Sequence, residues 1–204
     1  EKQQLLLLME NAAGGTVTAL LDSKEIELSD REKGRLAWET AVGMRFRASK
    51  GVFHRDLKSS NLLLDSSGHV KVSDFGISHA TTTLTTTKTS KTSVGSTPWM
   101  APELLAVPPG EFTEACDVYA FGIVLGEILS RNTTPYPDLQ SVQIALTVNQ
   151  GERPDVPPSC CESIPELLEL MERCLSQQPA SRPTFATIVE QLARLKLQTP
   201  RPAD

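Results

Sequence analysis

One short segment of the chain, GVFHRDLKSSNLLLD, concentrates side chains that could do chemistry. Eight consecutive positions hold five of these side chains: His54, Arg55, Asp56, Lys58 and Asn61. Histidine, aspartate and lysine are among the side chains that most often transfer protons in enzymes. Leucines follow directly at positions 62–64. The segment is therefore either a charged, solvated turn or an active-site loop that these leucines hold against a core.

The residues on either side of this loop predict the elements that must position it. The apolar run Leu5–Met9 is typical of a buried strand, and AAGG ends it before TVTALL begins a short helix. A longer helix is predicted where four residues share one face: Ala37, Ala41, Met44 and Ala48. Short strands are predicted at Val52–Phe53, Leu62–Leu64 and Val70–Val72. The loop thus lies between a helix and short β segments.

The second half of the chain is predicted to be mainly helical. Asp117–Ser130 is apolar nearly all round, which indicates a central buried helix with Asp117 as its N-cap or as an anchor. The segments IPELLELMERCL and PTFATIVEQLARLKL are amphipathic, and Pro183 is expected in a first helical turn. The polar run Thr81–Ser93 has no apolar face, so it is predicted to be a mobile loop.

The composition is that of a globular domain. The 204 residues suit one domain, or one large domain with part of another, and 39% hydrophobic with 22% charged residues are ordinary proportions. A net charge of -5 gives no overall basis for binding nucleic acid. Four cysteines without metal or disulfide spacing fit a reducing, cytoplasmic setting. The leucine run near the start is too short for a signal peptide or a membrane segment.

Three short motifs occur in an order typical of one enzyme family. They are HRDL followed by Asn61 after three intervening residues, DFG at positions 74–76 and APE at positions 101–103. This set resembles the signature of the protein kinases, and the resemblance extends from Leu5 to about Leu197. The sequences HRDLKSSNLLLD, SDFGIS and WMAPE most resemble the tyrosine-kinase-like group, whose members are mostly serine/threonine kinases.

The resemblance implies a role for each polar residue of the loop. Protein kinases act mainly by positioning the nucleophile and the phosphate and by neutralising charge. Asp56 would accept or orient the proton of the substrate hydroxyl, and Lys58 would bind the γ-phosphate of ATP. Asn61 and Asp74 would hold Mg²⁺ through oxygen ligands.

The resemblance also implies an adenine site. LLLLMENAAGG resembles the last strand of the small lobe and the hinge, with Met9 in the gatekeeper position. Backbone groups of Glu10 and Ala12 would meet the adenine edge, and Leu63 would form the floor beneath it. A generic buried strand that leads into a glycine turn is the alternative reading of this segment.

The class of acceptor is inferred from two positions. Lys58 favours serine and threonine over tyrosine, because this place holds lysine in serine/threonine kinases. Ser96 falls where the family has a serine or threonine facing the catalytic aspartate. Arg55 would either cap local carbonyls or pair with a phosphate on the activation segment, and a phosphorylation site within Thr81–Ser93 is as compatible with the sequence as a plain solvated loop.

Other motif residues are expected to act structurally. His54 would stack under Phe75 without transferring a proton. Glu103 and Arg182 would form a buried ion pair that ties the activation segment to the late helices. Asp117 would hold the backbone of the catalytic loop from the central helix.

The chain departs from the family pattern in three places. No Gly-rich loop, strand lysine or helix glutamate precedes the hinge, so most of the small lobe is expected to be absent and this chain alone to have negligible activity. Arg47 lies on the inward face of its helix, where packing is lost unless the head of the side chain reaches water. Gly126 lowers the helix propensity of the central helix by about 1 kcal/mol relative to alanine.

The sequence thus predicts an α+β protein-kinase-like fold, mainly α with short β hairpins. Residues 1–12 would form the last small-lobe strand and hinge, residues 13–198 the large lobe, and residues 199–204 a tail. The predicted function is transfer of the ATP γ-phosphate, with Mg²⁺, to Ser/Thr hydroxyls of proteins, without nucleic-acid partners. The alternative is a non-catalytic, pseudokinase-like lobe that binds partners through its helical surface.

Overall fold

The structure is a computed structural model that describes residues 12–73, 96–162 and 164–195. The α-helices in these residues are α1 (Val17–Asp22), α2 (Asp30–Ser49), α3 (Pro102–Leu105), α4 (Glu114–Ser130), α5 (Ser141–Asn149), α6 (Pro165–Cys174) and α7 (Phe185–Arg194). The strands are β1 (Leu62–Leu64) and β2 (Val70–Val72), and short 3-10 helices span Ser59–Asn61, Thr97–Trp99, Pro158–Cys161 and Pro179–Ser181. Among the helices described, none combines the length and apolar character needed to cross a bilayer.

Helix α4 forms the centre of the core. Every residue from Cys116 to Leu129 is buried, as its nearly continuous apolar sequence predicts. Helix α6 packs along one side of α4 and α2 along another, while α7 covers α2. The prediction of a mainly α architecture around this helix is confirmed.

The two strands form one antiparallel hairpin beside the candidate catalytic loop. Leu62 pairs with Val72 and Leu64 with Val70, and the turn between them is held by the Asp65 carboxylate, which accepts from two backbone N–H groups. Strand residues alternate between two faces, so Leu62 and Leu64 are buried while Leu63 faces the opposite side. The predicted anchoring of the loop by these leucines is confirmed.

Three sequence predictions about element boundaries are wrong. Val52–Phe53 is not a strand, since this stretch follows α2 without a ladder partner among the described residues. Helix α4 begins one turn earlier than predicted, with Thr113 as its N-cap, so Asp117 lies inside the helix and acts as an anchor. Pro183 precedes the N-cap Thr184 of α7 and lies outside its first turn. The predicted strand Leu5–Met9 lies outside the described residues.

Arg47 does not place its head in water. The residue is buried, and its Nη2 donates to the carbonyl oxygen of Phe53 at 3.0 Å. Burial lowers the pKa of Arg47, although the nearby Asp117 carboxylate acts in the opposite direction. The guanidinium thus occupies the interior beneath the candidate loop and contributes positive charge there.

Two glycines on α4 allow α6 and the residue after it to come close. A Cβ at Gly122 would lie 2.8 Å from Leu175 Cδ2 and 2.9 Å from Cys174 Cβ, whereas a Cβ at Gly126 would meet Met171 Sδ and Val156 Cγ2, both at 3.3 Å. Cys174 Cβ is fixed to its backbone, so alanine at position 122 would require the chain there to shift. At Gly126 a displacement of a few tenths of an ångström suffices, and a methionine side chain can adjust. Close packing therefore requires glycine at position 122, whereas the contacts at Gly126 are milder.

These contacts predict different effects of alanine at the two positions. Gly122→Ala should lower the free energy of unfolding by about 1–3 kcal/mol through overpacking. Gly126→Ala, the matched control, should range from neutral to about 1 kcal/mol more stable, because alanine favours the helix and the contact is milder. Urea unfolding followed by circular dichroism measures both, and equal effects would contradict the proposed difference in packing.

Candidate active site

Four polar side chains meet at the loop that the sequence analysis identified. Lys58 Nζ lies 2.9 Å from Asp56 Oδ2, and Asn61 Nδ2 donates to the same oxygen at 3.1 Å and to the Asp56 carbonyl at 2.7 Å. Ser96 Oγ donates to Asp56 Oδ1 at 2.6 Å, and Lys58 Nζ donates to Ser96 Oγ at 3.3 Å. The structure therefore brings Asp56, Lys58 and Asn61 together, and it places Ser96 opposite Asp56 as predicted.

The electrostatics keep Asp56 ionised. Partial burial alone would raise its pKa, but hydrogen bonds from Ser96, Lys58 and Asn61 and the charge of Lys58 outweigh burial and hold the pKa below its usual value. An ionised carboxylate of low basicity is suited to orienting a hydroxyl group by accepting its hydrogen bond. The cluster thus presents a negative acceptor next to a positive ammonium group.

Asp117 fixes the backbone just before Asp56. Its Oδ2 accepts from the backbone N–H of His54 at 2.7 Å, and its Oδ1 accepts from that of Arg55 at 3.0 Å. Arg55 has a left-handed backbone conformation with φ of 70°, which is uncommon for a residue other than glycine. The two bonds from Asp117 hold this conformation, so the predicted anchoring role of Asp117 is confirmed.

Within the described residues, the side chain of Arg55 makes neither of the two contacts predicted for it. Its guanidinium lies over the ring of Phe112, 5.6 Å from the centroid, and Phe112 also packs on Phe53. A partner within Thr81–Ser93 falls outside the described residues. Arg55 is thus held by an aromatic contact on the outer side of the loop.

His54 and Ser73 connect the loop to the end of β2. His54 is buried, and its Nε2 lies 2.9 Å from the Ser73 carbonyl oxygen while its Nδ1 accepts from the backbone N–H of Asp56. Ser73 donates to the Asn61 carbonyl through both its backbone N–H and its hydroxyl. This network supports a structural role for His54, but the predicted contact with Phe75 lies outside the described residues.

The residues predicted to bind Mg²⁺ are described only in part. Asn61 bonds to Asp56 through its amide nitrogen, so the amide oxygen, a ligand that Mg²⁺ accepts, is the end turned away from that carboxylate. Asp74 lies outside the described residues. In the described part of the chain, no group of three or more His, Cys, Asp or Glu residues could hold a metal ion.

The residues predicted to meet adenine are also described only in part. Glu10 and Met9 lie outside the described residues, whereas Ala12 is half-buried at the start of a segment that runs beside β1. Gly14 donates to the Leu64 carbonyl and Leu64 to the Gly15 carbonyl, both at 2.8 Å. A Cβ at Gly14 would lie 2.6 Å from a carbonyl oxygen, so only glycine permits this approach. Leu63 is half-buried on the adjoining strand.

Glu103 and Arg182 form the ion pair that the sequence predicts, with Arg182 buried and Glu103 half-buried. Arg182 Nη1 and Nη2 each lie 2.7 Å from one carboxylate oxygen of Glu103. The remaining guanidinium N–H groups donate to the carbonyls of Ala115, Ser176 and Gln177. Burial would raise the pKa of Glu103, but the bonds and charge of Arg182 hold it below its usual value. The pair joins the APE segment to the residues before α7.

The sequence analysis missed one residue of this region, Glu127. This glutamate on α4 is 2% exposed and accepts hydrogen bonds from Ser59 and from the indole of Trp99. A signal was available, because Glu127 is the one acidic residue in the apolar stretch between Asp117 and the end of α4. Buried acids are rare unless they are hydrogen-bonded, so the sequence could have suggested partners for it.

A comparison with family models agrees with the geometry of this site. The model described as "Protein tyrosine and serine/threonine kinase" matches residues 1–192, which is nearly the whole chain. The match includes the cluster around Asp56, the β1–β2 hairpin and the helices from α1 to most of α7.

Individual relatives agree with this match. Serine/threonine/tyrosine-protein kinase HT1 of Arabidopsis thaliana is 40% identical over 92% of this chain and 46% of its own length. A probable serine/threonine-protein kinase of Dictyostelium discoideum is 41% identical over 92% of this chain and 20% of its own length. The dual specificity protein kinase shkC of the same organism is 37% identical over 92% of this chain and 37% of its own length. The chain spans less than half the length of each of these relatives.

The anchoring by Asp117 leads to a prediction for its amide analogue. In Asp117→Asn, one oxygen becomes an NH₂ group that faces a backbone N–H, so a buried donor loses its acceptor. We expect the free energy of unfolding to fall by about 1–3 kcal/mol in urea titrations near pH 7.5. The control Asp138→Asn, at an exposed position, should change it by less than about 0.5 kcal/mol. Equal stability of Asp117→Asn and the unmodified protein would contradict the anchoring role.

The burial of Glu127 leads to a prediction about pH. Burial raises the pKa of Glu127 to about 7, even though hydrogen bonds from Ser59 and Trp99 act in the opposite direction. The folded state therefore retains a proton that the unfolded state has released above about pH 4.5. Relative to Glu127→Gln, the unmodified protein should lose up to about 3 kcal/mol of stability as pH rises from about 4.5 to 7, with little further change above that range. A stability difference independent of pH would show that Glu127 titrates normally.

Proposed function

Because the chain belongs to the family of protein tyrosine and serine/threonine kinases, we propose that its protein transfers the γ-phosphate of ATP to serine and threonine hydroxyls of other proteins. The observation that carries this proposal is the cluster of Asp56, Lys58, Asn61 and Ser96. A binding lobe without catalysis has no physical need for an ionised carboxylate paired with a lysine beside a hydroxyl group. The cluster therefore favours the enzyme over the scaffold.

In the proposed reaction, the residues of the loop position the acceptor and neutralise charge. Asp56 accepts the hydrogen bond of the acceptor hydroxyl and directs its oxygen toward the phosphate. Lys58, 2.9 Å from Asp56, holds the transferred phosphate close to that hydroxyl. When bound, Mg²⁺ neutralises the negative charge of the nucleotide phosphates.

The proposed Mg²⁺ ligands are Asn61 and Asp74. Ser73 is bonded to the Asn61 carbonyl by two hydrogen bonds, and Asp74 follows Ser73 directly in the sequence. An amide oxygen and a carboxylate are the hard oxygen ligands that this cation prefers. We propose that Glu10, Ala12 and Leu63 bind adenine. The close approach of the segment after Ala12 to β1 supports this proposal.

The preference for serine and threonine is part of the proposal. Lys58 and Ser96 support it, since Lys58 reaches both Asp56 and Ser96. The names of two relatives include tyrosine or dual specificity, so the experiment must measure both kinds of acceptor.

The cellular location of the protein and the division of the chain into structural regions are also proposals. We propose a cytoplasmic protein, supported by free thiols at Cys116, Cys160 and Cys174 among the described cysteines. Residues 1–12 are proposed as strand and hinge, 13–198 as the large lobe and 199–204 as a tail. Protein substrates are the proposed partners.

The proposal predicts a specific loss of activity in Asp56→Asn. The full-length protein that contains this chain should transfer labelled phosphate from Mg·ATP to a general acceptor such as myelin basic protein, mainly onto serine and threonine. Asp56→Asn should reduce the rate by at least about 100-fold, because the neutral amide lacks the negative charge that orients the hydroxyl and takes up its proton as the bond to phosphorus forms. The exposed control Asp138→Asn should retain full activity.

Phosphoamino acid analysis of the product separates the two parts of the proposal. Label mainly on tyrosine would contradict the preference for serine and threonine while leaving the transfer itself intact. No transfer by the unmodified full-length protein, or full activity in Asp56→Asn, would contradict the proposed reaction.

A further inference from the structure

Helix α4 carries a second buried acidic side chain, Glu127, that contacts residues next to the candidate active site. Glu127 lies ten residues after Asp117, and both side chains are buried within a helix that is otherwise apolar from Val118 to Leu129. Asp117 holds the loop just before Asp56, as described above. The position of Glu127 raises the question of what its carboxylate holds.

The carboxylate of Glu127 joins two separate segments of the chain. Its Oε1 accepts from the Ser59 hydroxyl at 2.7 Å, and its Oε2 accepts from the Ser59 backbone N–H at 3.3 Å. The same Oε2 accepts from the indole N–H of Trp99 at 3.1 Å. Thr18 Oγ1, on α1, lies 2.6 Å from the Ser59 hydroxyl and completes the polar cluster.

Both partners of Glu127 are adjacent to residues of the proposed reaction centre. Ser59 follows Lys58 and begins the 3-10 helix that ends at Asn61. Trp99 ends the 3-10 helix capped by Ser96, and the Trp99 backbone N–H donates to the Ser96 carbonyl at 3.1 Å. A single carboxylate thus connects the residue after the phosphate-binding lysine to the turn that presents Ser96.

We propose that Glu127 is a positioning residue for phosphoryl transfer, holding the Lys58–Asn61 turn and the Ser96–Trp99 turn at a fixed distance from each other. This inference rests on the proposed function and extends it to a residue that does not contact the reacting atoms. Ser96 bonds to Asp56 and to Lys58, so a shift of either turn would change the separation of the two proposed catalytic residues from the acceptor. Small displacements of this kind have large effects on rate.

A packing role alone does not account for an acid at this position. An apolar side chain of similar size fills a core without the cost of removing a carboxylate from water. The two oxygens of Glu127 instead receive three donors from two segments that are distant in sequence. The carboxylate therefore provides a connection that a leucine could not make.

Kinetics of the full-length protein test this role. Glu127→Ala should lower kcat by about 10-fold to 100-fold, while KM for ATP changes less than about threefold, because the proposed adenine residues lie elsewhere. Glu127→Gln should retain kcat within about threefold near pH 7. Its amide oxygen can accept from Ser59 N–H and Trp99, and its NH₂ can donate to the Ser59 hydroxyl.

Smaller changes test the two contacts if Glu127→Ala does not fold. Trp99→Phe removes the indole N–H and keeps an aromatic ring, and Ser59→Ala removes the hydroxyl. Each should lower kcat by about threefold to 30-fold at temperatures where the protein remains folded. Trp38→Phe, which changes the other tryptophan of the chain on α2, is the matched control and should leave kcat unchanged. Normal kcat in both contact variants would overturn the positioning role.

Nuclear magnetic resonance provides a readout that does not depend on activity. The indole N–H signal of Trp99, assigned by its loss in Trp99→Phe, should shift and exchange faster with solvent in Glu127→Ala than in Glu127→Gln. The side-chain amide signals of Asn61 should shift with it. Absence of phosphoryl transfer by the unmodified protein would overturn the proposed function. If Glu127→Ala leaves the Trp99 and Asn61 signals unshifted, the positioning role is overturned, whether or not the protein is active.

Discussion

Hydrogen bonds donated to two buried acidic side chains on α4 determine the shape of the candidate catalytic loop. The loop has one short 3-10 helix and no other regular structure before β1, so most of its backbone N–H groups need partners from elsewhere. Asp117 accepts from the backbone N–H groups of His54 and Arg55, and Glu127 accepts from the backbone N–H group of Ser59. Asp56 lies between these fixed points, and its position is therefore set by a rigid helix in the core.

The same contacts explain why acids in one small region differ in charge state. Asp56 is half-exposed and accepts hydrogen bonds from Ser96, Lys58 and Asn61, so it remains a carboxylate with a pKa below the usual range. Burial acts on Asp117 and Glu127 in the opposite sense, raising the pKa to about 6 for the first and about 7 for the second. For Asp117, the nearby Arg47 offsets part of this effect. Burial thus dominates the pKa of the two anchoring acids, whereas hydrogen bonds and the adjacent charge of Lys58 together outweigh burial at the candidate catalytic acid.

Much of the site could be predicted from local patterns, and the remainder depends on tertiary contacts. The spacing of Asp56, Lys58 and Asn61 within one loop limits their separation, so their clustering follows from the motif. The role of Glu127 could not be read in the same way, because its partners Ser59 and Trp99 are 68 and 28 residues away. The failed strand at Val52–Phe53 has a similar origin, since a strand requires a ladder partner that a short β-branched pattern does not identify. The burial of Arg47 also required knowledge of which carbonyl lay within its reach.

The segment from Ser96 to Glu103 is held at two points by side chains of the core. In its middle, Trp99 donates to Glu127, and at its end Glu103 accepts two parallel hydrogen bonds from Arg182. A buried polar or charged group that loses its partner is unfavourable, so the loss of either contact would need a compensating change elsewhere. The position of this segment is therefore coupled to α4 and to the residues before α7. Because Ser96 contacts the candidate catalytic aspartate directly, the geometry of the site depends on helices that supply none of its reacting groups.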